Sequence, residues 1–135
     1  MENIRFADSE HKAFYVRILV QAGNNDVYHK AFFYTMGISP ETRRNIRTLF
    51  DFQEDSIKPE GLSSAWQTGG TRRLCRLAFN LWNGFTEEGK ENRYTPYELF
   101  DCGFVPYFME AIRLRYPEYC LSMERPLPRS FLKER

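Results

Sequence analysis

Two short units carry the only histidines of the chain, Asp8-x-x-His11 in "DSEHKAF" and Asp26-x-x-His29 in "DVYHKAF". Two imidazoles and two carboxylates suit a divalent metal ion, so a metal centre is the first chemistry to weigh. The elements that must position them speak against it. Each unit opens an apolar stripe of helical period, His11 with Phe14 and Ile18, His29 with Phe32 and Met36, and the short Gly23-Asn24-Asn25 connection makes the two helices antiparallel neighbours. Their N-termini then lie about 20 Å apart at 1.5 Å rise per residue, and only a dimer or a break in the first helix would bring them together. Capping explains the repeat better, since an acid at each N-cap accepts orphan amide protons and favours the helix dipole. No metal and no cofactor are expected.

A second repetition, T-R-R-x-x-R-x-x-F, occurs from Thr42 and again from Thr71. On a helical wheel of the later copy Arg72, Arg73, Arg76, Asn80 and Asn83 share one face without an acid, opposite Leu74, Ala78, Leu81 and Trp82. Cations in a first helical turn oppose the macrodipole, so Arg72 and Arg73 are destabilising there unless something negative meets them. Gly69 and Gly70 stand just before, where backbone amides can approach an anion. The pattern points to an oxyanion or acidic-partner site built from Gly69, Gly70, Thr71, Arg72, Arg73 and Arg76. Carboxylates of the chain itself, Glu54, Asp55, Glu60 or Glu124, are the alternative partners for the same arginines. The spacing and the missing lysine exclude a phosphate-binding Walker loop.

The earlier copy supplies a secondary basic face, Arg43, Arg44 and Arg47, in a segment with the helix, glycine turn and basic helix order of a helix-turn-helix. Nucleic-acid binding is therefore the alternative function. Catalysis has no motif to rest on: no His lies beside a Ser or Cys in a nucleophile pattern. Cys75 faces inward from its helix, where a thiol serves as packing, and Cys102, next to Asp101, is the better candidate for a reactive thiol but has an unfavourable neighbour. An enzyme would have to enter through a phosphorylated or carboxylated ligand at "TGGTRR", and it ranks third.

A chain of 135 residues with net charge +1 is long enough for one core and has no overall field to draw in nucleic acid or an anionic membrane. Arginine outnumbers lysine 14 to 5, a bias toward planar, bidentate pairing with carboxylate or phosphate. Three cysteines without C-x-x-C spacing make neither a disulfide framework nor a zinc site. The charged N-terminus and the lack of a long apolar run suggest a reduced, cytoplasmic setting without a membrane span.

Apolar residues recur at three and four almost throughout, which predicts an all-α fold, a single domain over residues 1–122 of about five to six helices with irregular connections. Helices are expected from Asp8 or Ser9 to Ala22, from Asp26 to before Gly37, from Ser39-Pro40 through Phe50, from near Thr71 to Asn83, from Thr95 to Cys102, and over "VPYFMEAIRLRY". A polar stretch follows Phe50 with a single turn near "PEGLSSAW". The "TEEGKENR" segment reads as a charged surface loop, and residues 123–135 as a Pro-containing, mobile tail.

The strings "VYHKAFFYTMGI", "IKPEGLSSAWQTGGTRRLCRLAFNLWNG" and "TPYELFDCGFVPYFMEAIRLRYPEYC" together resemble a family of small uncharacterised proteins from Firmicutes, often carried on conjugative or other mobile elements. The resemblance implies a bacterial, cytoplasmic setting and an accessory role. It carries over no activity, cofactor or catalytic residue. The expectation is a non-catalytic binding or interaction module, its partner a protein or a small anion, with homodimerisation left open and nucleic acid as the alternative partner.

Overall fold

Asp8 opens the first helix, α1 (Ser9–Ala22), by accepting the His11 amide on its carboxylate at 2.8 Å, and Gly23 closes it in the left-handed region at φ 75°, where it donates to Leu19 and Val20. The computed structural model describes residues 3–120; the tail expected over 123–135 and Glu124 lie outside the described residues. Asp26 repeats the first device for α2 (Val27–Met36), taking the His29 amide at 2.9 Å. Seven of the ten residues of α2 are buried, on every side of the helix, which makes it the central element. It packs against α5 (Gly69–Asn83), α7 (Val105–Arg115) and α1.

The segment expected to be one helix from Pro40 to Phe50 is two short ones, α3 (Pro40–Arg44) and α4 (Ile46–Leu49). Local side-chain bonds explain the break. Asn45 donates to the Glu41 carbonyl at 2.8 Å, and Thr48 donates back to the Asn45 carbonyl at 2.8 Å, so both side chains compete for groups the helix ladder would use. The chain then leaves in a two-residue strand, β1 (Phe50–Asp51), paired antiparallel with β2 (Ser56–Ile57). This small hairpin is absent from the sequence expectation. Asp51 accepts the amides of Gln53 and Glu54, both at 3.0 Å, and Asp55 completes the turn at φ 54°, the only non-glycine residue in the left-handed region among those described.

A 3-10 turn at Pro59–Ser63 leads to α5, and α6 (Pro96–Leu99) precedes α7. With seven α-helices and one two-stranded hairpin among the described residues, the fold is mostly helical, as expected. The core joins Phe14 and Ile18 of α1, Phe32, Phe33 and Met36 of α2, Leu49, Phe50, Leu74, Phe79, and Phe108 of α7. Gly61 is required by its contacts: a Cβ there would sit 2.5 Å from the Thr48 carbonyl oxygen and 2.7 Å from Leu49. Gly61→Ala should therefore cost about 2–3 kcal/mol by overpacking. Gly103→Ala, which meets nothing within 4 Å, should stay within about 1 kcal/mol; urea unfolding of the two variants side by side checks the contrast.

Candidate functional site

Thr68 opens α5. Its hydroxyl accepts the Thr71 amide at 3.1 Å while the Thr71 hydroxyl accepts the Thr68 amide at 2.8 Å, a reciprocal cap that starts the helix at Gly69, two residues earlier than expected. Thr71 is thereby turned inward and buried, donating to Gln67 at 2.7 Å. Gly70 lies under the Phe104 ring, 3.3 Å from where its Cβ would be. Of the six residues expected to form the anion site, Gly69, Arg72, Arg73 and Arg76 line one cavity of about 260 Å³, and Gly70 and Thr71 serve the helix start instead.

The three arginines are each held by Nε. Arg72 donates from Nε to the Leu62 carbonyl at 3.3 Å, Arg73 to the Glu98 carbonyl at 2.9 Å, and Arg76 to the Glu87 carboxylate at 3.1 Å. Arg76 also reaches Glu87 through Nη2 at 3.5 Å, and the pair is partly shielded, with side-chain exposures of 10% and 20%. Arg73 donates through Nη1 to the Gly69 carbonyl and has only a long approach to Asp101, 3.9 Å, from Nη2. So one of the three forms a close internal ion pair, with an acid that was not among those expected; Asp55 is engaged elsewhere.

The opposite wall comes from the segment read as a charged loop. Gly84 at φ 79° ends α5 and turns the chain back, and the 3-10 turn Glu91–Tyr94 brings Lys90 and Arg93 to the cavity, with Glu98 of α6 beside them. Among the described residues neither Lys90 nor Arg93 has a carboxylate partner. The available signal was the Gly84 stop, which folds a short charged loop carrying Lys90 and Arg93 onto the helix it follows. The Tyr94 hydroxyl is buried beside the Arg76 guanidinium, and burial, then the Glu87 charge, pushes it up to about 12, so it remains protonated at neutral pH.

Each residue of the secondary basic face is engaged by a partner of its own. Arg43 donates to the Gly37 carbonyl at 2.6 Å, Arg44 pairs with Glu41 at 3.4 Å, and Arg47, on the separate α4, lies over the Phe52 ring at 5.5 Å. A five-residue α3 followed by a break offers no recognition helix.

The two histidines lie at opposite ends of the antiparallel α1–α2 pair, in unlike surroundings. His11 is fully buried; its Nδ1 accepts the Ala7 amide at 3.0 Å, so Nε2 carries the proton and donates to the Tyr34 carbonyl at 2.8 Å. His29 has an aspartate on each nitrogen, Asp26 on Nδ1 and Asp55 on Nε2, both at 2.8 Å. No three His, Cys, Asp or Glu side chains form a group able to hold a metal among the described residues. Of the cysteines, Cys75 is buried and its thiol is pushed up to about 12 by that burial, while Cys102 is half-buried with Sγ 3.7 Å from the Leu99 carbonyl.

Residues 1–127 match the family described as "Family of unknown function (DUF6075)". The chain belongs to this family. The match spans every element of the DUF6075 domain described above, including both walls of the cavity. No curated protein and no solved structure shows a significant match to the chain. No helix among the described residues of this DUF6075 domain is long and apolar enough to cross a membrane.

Proposed function

We propose that this DUF6075 protein is a non-catalytic binding module whose α5 cavity takes an anionic group presented by a small molecule or an acidic partner. The observation that carries the reading is the convergence of Arg72, Arg73, Arg76, Lys90 and Arg93, from two segments of the chain, around one cavity that holds a single carboxylate, Glu98, in its lining. Like charges gathered this closely repel unless an anion joins them. A non-catalytic role is supported by the histidines, since all four ring nitrogens are committed and neither ring is free to act as a general base. The inert Cys75 thiol points the same way. The setting we infer, from the sequence resemblance, is a bacterial cytoplasm and an accessory role on a mobile element.

Thermal unfolding at low ionic strength tests the reading. Phosphate or sulfate at ten times its dissociation constant should stabilise the protein by about 1.4 kcal/mol, a rise in Tm of about 4 °C. High NaCl should erase the rise by screening, and Arg72→Ala combined with Arg93→Ala should abolish it. A wild-type Tm that no anion moves at low salt would rule the proposal out.

A further inference from the structure

We infer that the α5 cavity selects a terminal phosphoryl group, a phosphomonoester dianion, over carboxylates and over the phosphodiesters of nucleic acid. This rests on the reading that the cavity binds an anion at all, and three observations take it further.

The first is charge. Five cations line the cavity, and the carboxylates set against them among the described residues are Glu98 in the lining, Glu87 on Arg76 and Asp101 at 3.9 Å from Arg73, a net excess of two positive charges. A dianion neutralises both; an acetate or a phosphodiester neutralises one. The second is the way the guanidiniums are held. Arg72, Arg73 and Arg76 are each anchored through Nε to a fixed acceptor, Leu62, Glu98 or Glu87, so their planes are set before a ligand arrives. Among the described residues no acceptor meets either Nη atom of Arg72, and Nη2 of Arg73 has only the long approach to Asp101. Guanidinium ends on the α5 wall together with Lys90 and Arg93 on the other suit the three terminal oxygens of a phosphoryl group, whereas a carboxylate has two oxygens in one plane. Ordering these long side chains in advance also removes part of the entropy lost on binding. The third is size: about 260 Å³ falls below the usual range for drug-sized ligands and admits a phosphoryl group with a few atoms of its carrier.

Calorimetric titrations at constant ionic strength, with glycerol 3-phosphate, dimethyl phosphate, sulfate and malonate, test this between pH 5 and 7.5. The titratable groups lining the cavity are Arg72, Arg73, Arg76, Lys90, Arg93 and Glu98, with Glu87 on Arg76, Asp101 near Arg73 and the Tyr94 hydroxyl beside Arg76, and no histidine is among them. Sulfate is a dianion across the whole range, so it reports any change in the protein itself. The phosphomonoester gains a proton with a pKa of about 6 and should bind about tenfold more weakly at pH 5 than at pH 7, with sulfate unchanged. Dimethyl phosphate should bind at least about tenfold more weakly than glycerol 3-phosphate at pH 7.

Arg72→Lys keeps the charge and removes the fork, and an affinity for glycerol 3-phosphate about tenfold lower is expected. A phosphoserine peptide forms a second monoester arm; tighter binding of the peptide or of glycerol 3-phosphate names the carrier, and either supports the assignment. Dimethyl phosphate or malonate binding as tightly as the monoester, or an Arg72→Lys variant with unchanged affinity, overturns phosphoryl selection while anion binding stands. If none of the four anions binds, both fail together.

Discussion

His11→Ala is expected to lower the stability of this protein by about 4 kcal/mol at pH 7. The ring is fully buried and edge-on to Phe6 at 5.1 Å, with Tyr34 at 4.5 Å. It fits so closely against Gly37 that a Cβ there would lie 2.7 Å from the imidazole. Truncation leaves a cavity the size of the ring, with a cost like that of other large-to-small core changes, about 2–5 kcal/mol. It also leaves the Ala7 amide and the Tyr34 carbonyl without their imidazole partner, each a penalty of about 1–3 kcal/mol where water cannot enter. The two terms overlap, because a cavity lined by polar groups can admit water, which keeps the total near 4 kcal/mol. The damage should spread to the N-terminal segment, since Tyr34 also holds the Arg5 carbonyl through its hydroxyl. Urea unfolding measures the loss, with Lys12→Ala on the exposed side of α1 as a control that stays within about 0.5 kcal/mol. A loss below 1 kcal/mol for His11→Ala would contradict the role given to the ring.

The second large effect is on the pH dependence of stability, where the two histidines act with opposite sign. Burial is the strongest influence on His11; it outweighs the bond to Tyr34 and lowers its pKa, so the folded protein keeps the ring neutral where an unfolded chain would protonate it. Its contribution is present above pH 6.5 and is lost as pH falls from there toward the lowered folded value. Burial would lower His29 as well, but Asp55 and Asp26 outweigh it and the net shift is upward. That contribution is complete below pH 6.5 and is lost as pH rises through the raised folded value. Stability should therefore peak near pH 6.5 and fall on both sides, each limb with a slope of up to about 1.4 kcal/mol per pH unit. Asp26, whose pKa is lowered because the His29 bonds outweigh its burial, adds a further loss below about pH 4. His29→Gln should flatten the alkaline limb and leave the acid limb in place. Unfolding free energies from pH 5 to 7.5 check this, below the range in which the unfolded Cys75 thiol ionises appreciably. Stability that climbed steadily above pH 7 in the wild type would contradict the His29 assignment.

His29 also explains why the small hairpin could not be read from the sequence. Asp55 is 26 residues from His29 and sits in a left-handed turn, and its carboxylate pins the β1–β2 turn to the start of α2. The break at Asn45 has a local cause, yet Ile46, Leu49 and Phe50 keep helical spacing, so apolar periodicity alone carries the helix through it. The anion cavity was legible on one wall only. The acid-free face of Arg72, Arg73 and Arg76 is a helical-wheel property; Lys90, Arg93 and Glu87 belong to a charged loop with no period.

What the sequence by itself determined was everything decided within one turn of chain. Asp8, Asp26, Ser39 and Thr95 cap their helices across two or three residues, Gly23 and Gly84 end theirs, and apolar spacing assigns the buried faces of α1, α2, α5 and α7. What only the tertiary structure decided was the charge that those local motifs carry. "DSEHKAF" and "DVYHKAF" begin their helices in the same way, yet His11 is held neutral between an amide and a carbonyl while His29 is drawn toward the protonated form by two carboxylates. The cap is made by neighbours three residues away, whereas protonation is set by whatever the fold brings to the far side of the ring, and Tyr34 and Asp55 come from 23 and 26 residues along the chain.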